Sequence, residues 1–338
     1  MSSNRDDAGG PTPDGDFSHR PDPSWFSRRV DLAVRTAWSS DLAVDLILAG
    51  PDRRSARATL RAAANGGDNA PYLRYIAARY GSYPNVWLCL CNEWDIRTPT
   101  YTTAQINQAG ATLRDLLAYP VPLSVHGNNQ WHPDFNTRPP WCDHAIIQGK
   151  IKTLAQSADY IQANHALGGA MPVFNDELAY EGAGDGFSME DVIASHLGAF
   201  LGGGYASTGH KPADKKGHYF WGAFKADEHR AARRLGWLAE QISHDITFWQ
   251  MAPAAMAPSI FAGADAGARL LEWPGRQYAL GASAPHQALR ANLPAGQWRV
   301  VSYDALAMQR RVLAESAGGA FAFDTPDSRA AMTVFTRL

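Results

Sequence analysis

The stretch from Asn85 to Asp95, Asn-Val-Trp-Leu-Cys-Leu-Cys-Asn-Glu-Trp-Asp, constrains the fold of this chain more than any other. It runs apolar and then ends abruptly in an amide and a carboxylate. An apolar run of this length, rich in Val, Trp and Cys, predicts a strand buried on both faces, as in parallel sheets covered by helices. A carboxylate at the C-terminal end of such a strand stands where a parallel sheet or barrel presents its chemistry. The design returns in Met171-Pro172-Val173-Phe174-Asn175-Asp176-Glu177. Two buried strands, each delivering a Glu at the same end, predict a pair of carboxylates facing one pocket. That is the arrangement used to cleave glycosidic bonds.

The surrounding pattern alternates strand and helix. Helical spacing predicts helices over 23–39, 70–80, 104–117, 150–167, 191–200 and 229–247. Strands are expected over 42–49, 83–90, 121–126, 143–149 and up to Glu177, with a glycine-crowded strand at 202–208. Units of this length imply an α/β protein with parallel strands, either an open sheet or a (β/α)8 TIM barrel. No glycine-rich phosphate fingerprint follows any strand, which favours the barrel. Six strands are visible rather than eight, so the expected barrel lacks its first two.

Outside this pattern the texture changes. Residues 1–22 are polar and rich in Gly, Pro and Asp, the composition of a tail or loop. The barrel is expected over 23–252 and an Ala/Pro/Gly linker over 253–267. Short alternating runs at 270–273, 277–280, 298–303, 320–323 and 332–335 then predict a small all-β sandwich over 268–338.

Composition narrows the functional classes. With 338 residues, 45% hydrophobic and 19% charged, the chain can hold one large α/β domain and a small companion. A net charge of -2 with no basic block argues against nucleic acid as a partner. No apolar run reaches spanning length, so no membrane is expected as a partner. Three cysteines make no disulfide framework. Cys89 and Cys91 lie two apart on a strand, as small buried hydrophobes on one face. Reduced thiols and the lack of an N-terminal signal pattern give a cytoplasmic expectation.

Glu93 and Glu177 are the sharpest candidates. In a barrel, three strand–helix units between them place them on strands 4 and 7 at one rim. A retaining glycosidase needs one carboxylic acid to protonate the leaving oxygen and one carboxylate to attack the anomeric carbon, roughly 5 Å apart. The plainer alternative is that each caps a helix or pairs with an Arg. Asn92, beside Glu93, can hydrogen-bond a sugar hydroxyl, or serve only as a turn residue. His126 and Gln148 end strands at the same rim, within reach of substrate hydroxyls. Trp94, Trp131, Tyr180, Tyr205 and Trp221 can stack on a sugar ring or pack the core. Asp95, Asp176 and Glu181 are supporting acids, Asp176 being the substitute for Glu177. His126, His132, Asp143 and His144 match no tight metal-ligand spacing, so neither metal nor cofactor is expected. No Gly-x-Ser-x-Gly elbow is present.

At these residues the chain resembles the apiosidase-like glycoside hydrolases, relatives of retaining TIM-barrel glycosidases with Glu on strands 4 and 7. The resemblance rests on Asp45-Leu46-Ile47-Leu48, on Tyr72-Leu73-Arg74-Tyr75-Ile76-Ala77-Ala78-Arg79-Tyr80 with Asn85-Val86-Trp87, and on Asn92-Glu93-Trp94-Asp95. A fourth stretch is Pro172-Val173-Phe174-Asn175-Asp176-Glu177 with Tyr180-Glu181-Gly182. It spans residues 16–251, and the trailing β region is similar to the small C-terminal domain of such proteins. It implies Glu93 as acid/base, Glu177 as nucleophile and a carbohydrate substrate. Asp16-Phe17-Ser18-His19-Arg20-Pro21 is similar to the loop before the family's second helix, which is why two strands are expected to be missing. Unpaired edges would follow, and a homo-oligomer is one way of covering them. The competing expectation is a carbohydrate-binding barrel with impaired catalysis. A metal-dependent barrel hydrolase is the third, set apart by loss of activity with a chelator.

Overall fold

The computed structural model describes residues 21, 23–50, 59–65, 67–95, 101–127, 135, 139–168, 171–211, 229–256, 260–264 and 266–338. Its contacts divide the chain into two compact units. One is Met1–Gln148 with His165–Pro172; the other is Gly149–Asn164 with Val173–Leu338. The fold is α/β with parallel strands.

In the first unit, β1 (Val44–Ile47), β2 (Val86–Cys89) and β3 (Leu123–Ser124) form a parallel sheet in that order. A further parallel bridge, His126 to Ile146, reaches β4 (Ala145–Ile147). In β2, Val86, Leu88 and Cys89 are buried and Trp87 half-buried, as expected for a strand covered on both sides. Strand β1 is shorter than 42–49, and Asp45 and Ile47 are exposed. Every expected helix of this unit forms. The first is not uniform: α-helical Pro23–Phe26 and Leu32–Ser39 flank a π-helical turn, Ser27–Asp31. Asp31, at the end of that turn, takes Arg79 through two bonds of 3.0 and 2.6 Å and the Tyr80 hydroxyl at 2.9 Å. The helix Thr103–Leu116 begins one residue before the expected start, because Thr102 and Gln105 form a reciprocal capping box.

That helix meets the Trp141 indole at Gly110. A Cβ there would lie 2.3 Å from the ring, and Trp141 is further fixed by donating to Asn107 at 2.8 Å. Gly110→Ala is therefore expected to destabilise the protein by about 1–3 kcal/mol through overpacking. The helix-propensity gain of ~1 kcal/mol works in the opposite direction. Urea unfolding reads the difference; a stabilised variant would mean that the indole does not press on this helix.

In the second unit, β5 (Val173–Glu181) pairs in parallel with β6 (Tyr205–His210). Two corrections arise here. Strand β5 does not stop at Glu177 but continues to Glu181, with a register shift between Asn175 and Ala179. Strand β6 begins three residues later than expected. The glycines of 202–204 instead close the helix Met189–Leu201, where Gly203 takes φ +81°, a conformation costly for other residues.

The C-terminal region builds two antiparallel sheets. One has the order β13-β12-β15-β10-β9-β7: Gln309–Ala317, Trp298–Asp304, Ala331–Arg337, Gln277–Ala282, Arg269–Trp273 and Ala252–Ala254. The other is β14-β11-β8: Ala320–Phe323, Leu289–Asn292 and Phe261–Ala262. Residues from both sheets share an apolar cluster that includes Phe261, Tyr278, Leu289, Trp298, Phe323 and Phe335. Strands β7 and β8 lie in the stretch expected as a linker. Strands β11 and β13 are additional to the sequence expectation. Strand β10 packs tightly on the helix Met189–Leu201, since a Cβ at Gly281 would lie 2.0 Å from Leu201. Asp245 adds a polar tie, accepting from Arg310 at 2.9 Å and from the Tyr303 hydroxyl. Burial pushes its carboxyl up, but these bonds and the charges of Arg310 and Arg299 more than offset that and hold it below the usual range.

Candidate functional site

Three parallel strand ends of the first unit converge on the Asn92–Glu93 turn. The chain leaves β2 through buried Leu90 and Cys91, and the Asn92 backbone N–H donates to the Ala49 carbonyl beyond β1 at 2.9 Å. On the other side, beyond β3, His126 donates its backbone N–H to Cys91 at 3.0 Å and accepts from Trp94 at 3.1 Å. Between these ties Glu93 takes φ +45°, in the left-handed region that a residue with a side chain rarely adopts. Such conformations persist where the surroundings over-determine them, and they cluster at functional sites. The Asn92 and Glu93 side chains are half-buried, so the pair is shielded yet reachable.

The side chains continue this connection. His126 Nδ1 lies 2.9 Å from Asn92 Oδ1, and Asn92 Nδ2 lies 3.5 Å from Glu93 Oε2. Trp94 is buried, edge-on to Phe135 with ring centroids 5.2 Å apart. Thus four expected site residues, Asn92, Glu93, Trp94 and His126, are brought together. Gln148 is also buried, just past β4. Cys89 and Cys91 are buried thiols, not joined in a disulfide, turned to backbone carbonyls of the same segment.

In the second unit, Glu177 occupies the irregular part of β5, where the register with β6 shifts. A bulge of this kind re-aims a side chain and is common beside active sites. Ser207 holds the bulge by donating to the Asp176 carbonyl and, at 3.0 Å, to the Asp176 carboxylate. Asp176 is therefore engaged within the strand pair, while Glu177 beside it is half-buried. Tyr180 is 4% exposed, with the Lys150 ammonium 5.3 Å from its ring centroid. Lys150 also meets Asp185 at 2.9 Å, and Lys211 meets the same carboxylate at 3.2 Å. Burial raises the Asp185 carboxyl, but these two lysines more than offset it and hold it below the usual range.

Glu181 takes the plainer of the roles open to a strand-terminal acid. Its buried carboxylate accepts the Ala231 N–H at 2.8 Å, in the first turn of the helix Arg230–Asp245, and lies 3.6 Å from Arg230. It forms one wall of a cavity of about 350 Å³ with Phe187, Ser188, Met189 and Arg230. Asp143, one of the four residues that match no metal-ligand spacing, pairs with Arg114, and the His144 ring lies 5.3 Å from Trp87. Trp221, Trp131 and His132 lie outside the described residues. Among the described residues, no group of three or more His, Cys, Asp or Glu is placed to hold a metal ion. No helix among them is long and apolar enough to cross a membrane. The sequence reading did not anticipate the His126–Asn92 contact. Its only trace is a polar residue at the end of each of two strands that turn out to be adjacent.

A family model described as "Apiosidase-like, catalytic domain" matches residues 2–197. The fold is similar to a Bacteroides vulgatus protein described as a candidate glycoside hydrolase, with a TM-score of 0.69 and 19% identity. That match covers 93% of this chain and 63% of the other, so the chain spans less than two thirds of that relative. A glycoside hydrolase family 5 protein from the same organism matches with a TM-score of 0.72 and 13% identity, covering 92% of this chain and 74% of that one. A third structure, titled simply a glycoside hydrolase, matches with a TM-score of 0.72 and 14% identity, covering 95% and 80%. At these identities the likeness is one of fold. A search of curated proteins found no match.

Proposed function

This chain belongs to the apiosidase-like catalytic-domain family, and on that premise we propose that it hydrolyses glycosidic bonds by a retaining, two-carboxylate mechanism. The observation that carries the reading is the Asn92–Glu93 turn, a half-buried carboxyl held in a strained conformation at the C-terminal end of a buried parallel strand. In this reading the parallel strands are part of a (β/α)8 framework and the two C-terminal sheets form a sandwich. Glu177 attacks the anomeric carbon while Glu93 gives its proton to the departing oxygen. Glu93 then takes a proton from water, and that water displaces Glu177 from the sugar with the original anomeric configuration restored. The partner is a carbohydrate. Asn92 is the first choice to bond a sugar hydroxyl, and Trp94, Gln148 and Tyr180 are further substrate-binding candidates.

The test is a pair of variants, Glu93→Gln and Glu177→Ala, assayed on a panel of 4-nitrophenyl and methyl glycosides. Glu177→Ala is expected to lose turnover on every glycoside the parent cleaves, and Glu93→Gln chiefly on the methyl glycosides. A Glu177→Ala protein that keeps full turnover overturns the reading. Glycan binding without release of reducing sugar by the parent would favour the carbohydrate-binding alternative.

A further inference from the structure

The strained backbone at Glu93 requires something to hold it, since a left-handed conformation is costly for a residue with a side chain. His126 touches the residues on both sides. Its N–H bonds Cys91, its carbonyl takes the Trp94 N–H, and its ring meets the Asn92 side chain. At 1% exposed, the ring is fixed by its surroundings rather than presented to solvent. An amide oxygen only accepts hydrogen bonds, so the 2.9 Å contact requires a proton on Nδ1. With Oδ1 committed to His126, the amide NH2 of Asn92 turns toward Glu93. The flipped amide would reverse both contacts, turning its nitrogen to Nδ1 and its oxygen to Glu93.

We propose that His126 is a positioning residue for catalysis: in its Nδ1-protonated form it locks the Asn92 amide and, with its backbone, fixes the turn that aims Glu93. This assigns the ring to the frame of the site rather than to a sugar hydroxyl, and it rests on the reading of Glu93 as the acid. The group it positions matters most where the leaving oxygen needs a proton. A methyl glycoside has such a leaving group; a 4-nitrophenolate departs largely without help.

Two measurements on the full chain test the proposal. Long-range 1H–15N correlation of 15N-histidine protein should place the His126 proton on Nδ1 at neutral pH. A proton found only on Nε2 overturns the lock, whether or not the protein cleaves a glycoside. The kinetic test compares His126→Leu with His126→Asn, whose amide nitrogen falls near the position of Nδ1. His126→Leu should lower kcat/KM on methyl glycosides about 100-fold, the scale of a misplaced catalytic group. Its kcat/KM on 4-nitrophenyl glycosides should stay within about threefold, and His126→Asn should recover at least about tenfold of the loss. Equal losses on both leaving groups, or no recovery with Asn at unchanged thermal stability, would mean that His126 acts only as packing. A parent that cleaves no glycoside would fail the acid assignment, while the tautomer would still decide the lock.

Discussion

Glu177→Ala is expected to lower kcat by at least about 10⁴-fold, the scale at which a covalent nucleophile is lost. Removing the carboxylate leaves the anomeric carbon with no partner for the first displacement, and no neighbour replaces it cheaply. Asp176 is held by Ser207, and Glu181 is committed to Ala231 and Arg230. Added azide should restore part of the turnover and give a glycosyl azide of inverted configuration, since it attacks from the face that Glu177 vacated. Glu93→Gln should cost about 10²–10⁴-fold on methyl glycosides, the range of a general acid. Its loss on 4-nitrophenyl glycosides should be smaller. If instead Glu177→Ala keeps its rate while Asp176→Ala loses it, the nucleophile has been placed one residue late. The bulge makes that substitution a fair contest, because both acids lie where the register shifts.

The second large effect is on stability. Asp31 is 7% exposed and carries a two-point contact to Arg79 plus a bond from buried Tyr80, which join the first helical segment to the helix Ala70–Tyr80. Ser27 adds a 2.7 Å contact from the same guanidinium. Asp31→Ala leaves the arginine and the phenol without their shared acceptor. The expected loss is about 3 kcal/mol, at the low end for a buried pair because water still reaches Arg79. Burial pushes the Asp31 carboxyl up, but Arg79 and Tyr80 outweigh it and hold it below the usual range. The folded-state pKa thus lies below the unfolded one. The stabilisation is present in full above the ordinary carboxylate value and is lost as pH falls through the depressed one. Urea unfolding of parent and variant should differ at neutral pH and converge in acid. A difference below about 1 kcal/mol at neutral pH would mean that the pair behaves as a surface ion pair.

The parallel strands β1 to β3 and the Asn92–Glu93 turn were legible because they rest on strong, local signals. The run 85–91 is too apolar to lie anywhere but inside, and its abrupt end at Asn92 and Glu93 marks the end of the strand. Helix starts were less sharp. The boxes formed by Thr102 with Gln105 and by Ser188 with Asp191 add a residue or two that apolar spacing does not reveal. The bulge at 176–178 left no trace, since Asp, Glu and Leu carry no strong bulge signal and the shift depends on the pairing with β6. Strand β13 was hidden for another reason. With Gln309, Arg310, Arg311 and Glu315 it reads as polar, and it forms the edge of its sheet, where such residues discourage pairing with other chains. The His126–Asn92 contact required the adjacency of two strand ends distant in sequence, which no local pattern encodes.

In the retaining mechanism Glu177 becomes covalently joined to the sugar. The most direct measurement is peptide mass mapping after exposure to 2,4-dinitrophenyl 2-deoxy-2-fluoro glycosides matched to the parent's preferred substrate. The electron-withdrawing fluorine slows both steps, while the activated leaving group keeps the first faster than the second, so the glycosyl-enzyme accumulates. A fluoroglycosyl adduct on Glu177, with dinitrophenolate released once per chain, is the result this account requires. An adduct on any other residue, or inverted sugar as the first product of the natural reaction, contradicts it.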